Sequence, residues 1–171
     1  MLSLSQQQPT DYLTVYRAGE TLQALPPMPD LIPECPSGPV TLRFITPLRL
    51  RLQNREITAN TFTFYALFSV LMRRISMLQT FHTDQPLQLD FKALSAAARE
   101  VEVLNNSLRW QDWSRYSSRQ KTPLKMGGLV GEVTLDGASL EPFWELLWLG
   151  QSVHVGKGTV MGLGHYSISH K

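Results

Sequence analysis

From Val40 onward the chain alternates strand-like and helix-like stretches in the order β-α-(α)-β-β-α-β. Residues 40–50 are rich in β-formers and alternate Leu42 and Phe44 with Thr41 and Arg43, which predicts a strand running on past Pro47 with a kink. Asn60 or Thr61 stands where it can cap a long helix with the apolar stripe Phe64, Leu67, Phe68, Leu71, Ile75, Leu78. A second helix is expected over 90–101, with Phe91, Leu94, Ala98 and Val101 on one side. Residues 103–119 mix Leu108, Trp110, Trp113 and Tyr116 with polar residues, the composition of one long, twisted or bulged strand. A strand over 129–135 ends at Asp136-Gly137. Ser139 then caps a helix with Phe143, Leu146 and Leu147 inward, stopped by Gly150, and 159–168 forms the last strand. This order specifies an α+β, ferredoxin-like βαββαβ domain, with an antiparallel four-stranded sheet and two main helices on one face. RNA-recognition domains share that arrangement.

The region before Val40 has a different character. Residues 12–17 (Tyr-Leu-Thr-Val-Tyr-Arg) predict a short strand, followed by Pro26, Pro27, Pro29, Pro33, Pro36 and Pro39. Such a proline density makes a stiff, extended linker. The expected division is therefore a tail, short strand and linker over 1–38, then the main domain over 39–171.

Between the last helix and the last strand lies Gly156-Lys157-Gly158, followed by Gly162-Leu163-Gly164, a G-x-G-x-x-x-G-x-G pattern. Glycines let another chain approach the backbone, and successive N–H groups in such a loop can cradle an anion. A lysine inside the pattern points to a phosphate-bearing partner. The spacing fits neither the Walker loop nor the dinucleotide fingerprint, because Met161 stands where the latter needs its third glycine. A glycine-rich turn beside an edge strand gives the same spacing.

Charge is uneven although the 171-residue chain has a formal net charge of only +2. Arg109, Arg115, Arg119, Lys121 and Lys125 face a single acid, Asp112, and Arg43, Arg49, Arg51 and Arg55 run with no acid between them. Two basic runs beside a lysine-bearing glycine loop favour nucleic acid as the partner. Cys35 is the single cysteine, which excludes an internal disulfide and suits a cytoplasmic protein. The first eight residues lack the basic start and apolar run of a signal peptide, and no stretch is apolar enough to span a membrane. No His/Asp/Glu group has metal-ligand spacing, so neither a metal nor another cofactor is expected.

Together these residues carry a family resemblance. The glycine loop after the last helix resembles the signature of the RAMP superfamily of CRISPR-associated proteins. Arg73-Arg74-Ile75 with His82, then Trp110-x-Asp112-Trp113-x-Arg115-Tyr116-Ser117-x-Arg119-Gln120, and Met126-Gly127-Gly128 resemble the carboxy-terminal domain of its repeat-RNA-processing endoribonucleases. The resemblance covers about residues 40–169. It implies an antiviral-defence enzyme, or its RNA-holding half, that cuts the CRISPR transcript within each repeat without a metal. The ribose 2′-hydroxyl would attack the adjacent phosphate. Family members usually carry two ferredoxin-like domains, with the catalytic histidine of the better-known members in the first. Residues 12–17 would then be the last strand of that first domain. The implied partners are repeat RNA, other CRISPR-associated proteins and an amino-terminal domain.

Such a reaction needs a base and an acid near the phosphate. His154, beside the glycine loop, is the first candidate, with His82 and Tyr116 behind it. His165 reads as a satisfied sheet histidine and His170 as part of the tail. The RNA-binding candidates are Gly156, Lys157, Gly158, Gly162 and Gly164 of the loop, and Arg115, Arg119, Lys121 and Lys125 of the basic run. Trp110 and Trp113, three apart on one strand, should face opposite sides, one in the core and one exposed to stack on a base. Two alternatives stay open: an RNA-binding subunit or carboxy-terminal domain without a nuclease centre, and a ferredoxin-like assembly domain.

Overall fold

The computed structural model describes residues 32–83, 87–117 and 121–170. The expected strand over 12–17, the first prolines of the linker and Arg119 lie outside the described residues. Ile32–Lys171 form one compact unit.

The main sheet is built from β1 (Val40–Leu48), β4 (Val103–Asn106), β5 (Arg109–Gln111), β8 (Gly128–Leu135) and β9 (Tyr166–His170). Its strand order is β4-β8-β1-β9, with β5 also on β8, and its pairings are antiparallel. The third strand of the motif, β8, thus lies between the first, β1, and the second, β4. That is the expected ferredoxin-like βαββαβ arrangement. Alternation sends Val40, Leu42 and Phe44 into the core and leaves Arg43 and Ile45 exposed on the other face. Pro47 offers no N–H, and the register of β1 against β8 shifts between Phe44 and Leu48. The strand ends there. Arg51–Leu52 (β2) and Arg55–Glu56 (β3) form a separate small hairpin, turned by Gln53 and Asn54 at positive φ.

Helix α1 spans Phe64–His82 and buries the expected stripe through Ile75. Its cap is Thr63, whose side chain accepts from the Ala66 N–H, rather than Asn60 or Thr61, which sit in a one-turn helix upstream. Phe64 and Phe68 stack at 5.7 Å and meet Phe143 edge-on at 5.0 and 4.7 Å, joining α1 to the chain that leads into the last helix. The second helix, α2, is Phe91–Ala97 and starts at its Asp90 cap.

Five sequence expectations need correction. Residues 103–119 are not one strand: β4 and β5 both lie on β8, and Ser114–Ser117 (β6) leaves the sheet to pair with Thr122–Lys125 (β7). At the first break, between β4 and β5, Gly131 at φ +120° lies so close to Ser107 that a Cβ would come within 2.5 Å of its carbonyl oxygen, and the Asn106 side chain accepts from the Leu108 N–H at 2.9 Å. Trp110 and Trp113 therefore do not split between core and surface; they are 42% and 46% exposed. Gly150 does not stop the last helix, α3, which runs Trp144–Val153, and Ser139 does not cap it: Ser139 lies in a one-turn helix and donates to the Asp136 carbonyl. The last strand begins at Tyr166, because Thr159–Met161 coil into another single turn.

Gly150 is required for packing. Its missing side chain makes room for the Tyr166 hydroxyl, which donates to the Leu147 carbonyl at 2.7 Å in the middle of the core. Burial pushes the Tyr166 phenol far above its ordinary range, so it stays a neutral donor. Gly150→Ala would press a methyl against that hydroxyl and against Leu71, whose Cδ1 lies 2.9 Å from the added carbon. A loss of about 1–3 kcal/mol is expected from this overpacking, read as a lowered midpoint in urea with an unchanged m-value.

Candidate functional site

Residues 154–165 fold back onto the exit of β1. Lys157 N–H donates to the Arg49 carbonyl at 2.9 Å, Gly164 N–H to the Pro47 carbonyl at 3.1 Å, and Val155 N–H to the Gly164 carbonyl at 3.0 Å. A Cβ on Gly156 would strike the Arg49 carbonyl oxygen, and one on Gly164 the Val155 carbonyl oxygen. These two glycines serve the approach of one backbone to another. Gly158 has φ +83° and lies against Leu163. Gly162 differs from all three: its φ is +81° and nothing lies within 4 Å of the Cβ position, while its N–H donates to the Thr159 carbonyl at 3.0 Å.

Thr46 clamps the far side of the loop. Its hydroxyl donates to the Gly162 carbonyl at 2.8 Å and accepts from the His165 N–H at 2.9 Å. Sequence reasoning passed over it, because a threonine in a strand signals only β-propensity.

His154 stands at the entrance to the loop with φ +59° and ψ 167°. That region is normally reserved for glycine and costs an ordinary residue about 1–3 kcal/mol. Local contacts hold it there. Its N–H donates to the Gly150 carbonyl at 2.9 Å, and its Nδ1 lies 3.2 Å from the Leu163 carbonyl, which can only accept. Nδ1 therefore carries a proton, and in the neutral ring Nε2 is the free basic nitrogen. The ring stacks on His165, with centroids 4.9 Å apart and planes inclined by 13°. His165 is thus part of the loop's base rather than a histidine of the last strand.

Charge gathers on the same edge. Arg49, Arg51, Asn54, Glu56 and Lys157 line a depression of 230 Å³. Arg49 Nε and Nη2 donate to Glu56 Oε1 at 3.0 and 2.9 Å, and Arg51 Nε donates to the Asn54 carbonyl at 3.2 Å. The arginine run of the sequence is split by the end of β1 at Leu48, beyond which Arg51 and Arg55 belong to the β2–β3 hairpin. Arg43 lies on the open sheet face, 3.6 Å from Glu132, where it lines a 690 Å³ concavity with Arg109.

The remaining candidates form a second group. Arg115 and Tyr116 are exposed on β6, Lys121 is exposed at positive φ where the hairpin turns, and Lys125 belongs to β7. The root of this hairpin adjoins the loop's anchor. A Cβ on Gly128 would lie 2.7 Å from the Leu48 carbonyl oxygen and 3.0 Å from Arg49 Cγ. The end of β1 thus has the glycine loop against its Arg49 carbonyl and the hairpin root against Leu48. Trp110 Nε1 donates to Asp112 Oδ1 at 2.9 Å, which orients the exposed indole. His82 ends α1 and, with Gly156, lines a third feature, a 360 Å³ groove along that helix. The structure brings His154 to the loop and His82 to its flank, and leaves Tyr116 on the hairpin. Among the described residues no three His, Cys, Asp or Glu side chains converge, and no helix is long and apolar enough to cross a membrane.

The model of the CRISPR-associated endoribonuclease Cas6 family matches residues 42–166. Among solved structures, the chain is similar to Thermus thermophilus Cas6, at 20% identity and a TM-score of 0.55, over 79% of this chain and 55% of that one. It is also similar to a Cas6 product complex, at 20% identity and a TM-score of 0.59, over 80% and 53%. A partial Cas6-RT-Cas1–Cas2 complex matches at 20% identity and a TM-score of 0.56, over 80% and 23%. The chain spans about half the length of the two Cas6 structures, and at these identities the likeness shows the fold. No curated protein sequence matches the chain.

The Thr46 clamp can be tested directly. Thr46→Val keeps the strand shape but leaves the His165 N–H and the Gly162 carbonyl without their partner. A loss of about 1–3 kcal/mol is expected, together with faster amide hydrogen exchange confined to 156–165. Unchanged exchange there would show that the other anchors hold the loop unaided.

Proposed function

Because the chain belongs to the CRISPR-associated endoribonuclease Cas6 family, we propose that it binds CRISPR repeat RNA and contributes to its cleavage. The observation that carries this reading is the edge at the end of β1, where the glycine loop, the cations Arg49, Arg51 and Lys157, and the root of a basic hairpin adjoin. Phosphate contacts at such an edge position an RNA without reading its sequence. The open space over the Gly162 Cα leaves room for a phosphate to approach, with Lys157 as the loop's own cation, and Arg115, Lys121 and Lys125 extend the contact along the hairpin. Arg119 belongs to the same basic run.

In the proposed reaction the 2′-hydroxyl attacks the adjacent phosphorus, the bond to the 5′-oxygen breaks, and a 2′,3′-cyclic phosphate results. His154 Nε2 takes the 2′-hydroxyl proton in this proposal; a second group returns a proton to the leaving oxygen. His82 and Tyr116 are the reserve candidates on this chain. No metal enters the proposed steps. The protein partners proposed are an amino-terminal domain and other CRISPR-associated proteins, acting in the cytoplasm.

Labelled repeat RNA incubated in EDTA separates cleavage from binding alone. His154→Ala should slow single-turnover cleavage by about 10²–10⁴-fold with affinity nearly intact. Wild-type binding without cleavage would establish the binding-only role. Arg115→Ala with Arg119→Ala should weaken many RNAs alike and lower the salt slope by up to ~0.7 for each phosphate that is no longer neutralised. Gly162→Val should cost about 1–3 kcal/mol of binding. Gly162→Asn, which tolerates positive φ, should fold normally and still bind weakly if a phosphate approaches that backbone.

A further inference from the structure

Helix α1 carries two apolar stripes. One faces the core through Phe64, Leu67, Phe68, Leu71 and Ile75. The other, Val70, Met77, Leu78 and Phe81, shares a face with Arg73 and Arg74 at the three- and four-residue spacing of a helix surface. Beyond the Arg74 contact with the end of α3, this second face is exposed at Met77 and Phe81. It forms a 360 Å³ groove that also includes His82 and opens onto Gly156 of the loop. Phe81 is 75% exposed and Met77 49%, so a ring and a thioether are held in solvent beside the phosphate-binding edge.

We infer that this groove is a nucleotide subsite, which takes an unpaired RNA base against Phe81 and its phosphate against Arg73. The inference rests on the RNA-binding reading above and deepens it. Three observations carry it. The volume falls within the range of sites for small ligands, about 300–1,000 Å³. The floor is apolar and aromatic while the rim holds Arg73, Arg74 and His82, and no acidic side chain lines it. That charge pattern complements a polyanion and gives the groove no acid to pair with a basic peptide. Arg74 is occupied, donating from Nε to the Val153 carbonyl just ahead of the loop, which leaves Arg73 as the exposed cation beside the ring. An aromatic face stacks on any base, so the subsite tolerates sequence and requires only that the nucleotide be unpaired.

The test uses the full chain and an unstructured RNA of about ten nucleotides carrying one 2-aminopurine. Phe81→Ala should weaken binding roughly 5- to 150-fold, the scale of one stacking interaction, with an unchanged salt slope. Phe81→Trp should restore affinity. Arg73→Ala should lower the slope by ~0.7. The 2-aminopurine should be quenched by the wild type and not by Phe81→Ala. Because Phe81 is exposed, Phe81→Ala should melt like the wild type, which excludes unfolding as the cause. Steeply salt-dependent wild-type binding that Phe81→Ala leaves intact would overturn the subsite while the RNA reading stands. Wild-type protein without salt-dependent RNA binding would overturn both and assign this face to a protein partner.

Discussion

Two carbonyl groups at the exit of β1 organise the glycine-loop edge of this protein. The Pro47 and Arg49 oxygens accept the amides of Gly164 and Lys157, and this pairing is possible only because Gly156 and Gly164 carry no Cβ. The loop is consequently fastened to the central strand of the sheet rather than left as a mobile surface turn. Thr46 adds a side-chain bridge from the same strand. Several of the loop's own amides are consumed in this anchoring. A phosphate at this edge would rely on the open space beside Gly162 and on neighbouring cations rather than on a nest built from the loop amides.

The same anchoring accounts for the state of His154. The chain must turn sharply out of α3 to reach β1, and the histidine absorbs that turn in a backbone region that a glycine would occupy without strain. Stacking on His165 and the bond to the Leu163 carbonyl keep its ring in one orientation. Strain at a fixed, partly exposed imidazole is the kind of feature that functional sites retain. The groove on α1 adds a complementary element: the loop edge offers charge, and the helix offers an apolar face with an aromatic ring.

Much of the architecture was legible because period and order are local properties. The apolar stripe of α1, the alternation in β1 and the βαββαβ sequence of elements each follow from side-chain spacing, and together they imply the antiparallel order that the sheet adopts. The candidate site was legible in part. His154, Lys157 and the glycines could be picked out because they are unusual residues in an unusual pattern. Thr46 and the pairing of Arg49 and Arg51 with the loop could not, since their importance comes from what lies across the sheet.

The sequence by itself determined the element types, the ferredoxin-like order and the placement of a glycine loop between the last helix and the last strand. Tertiary structure alone decided where elements break and which glycine does what. Residues 103–117 divide into three strands because pairing is interrupted at Ser107 and Leu108, opposite Gly131, and the chain then leaves the sheet into a hairpin. Gly150 sits inside α3 because the Tyr166 hydroxyl needs its space, although a helix-ending glycine has the same identity and neighbours. The physical reason is common to these cases. Periodicity records which face of an element is buried, whereas close approach, strain and convergence of charge depend on residues far apart in the chain.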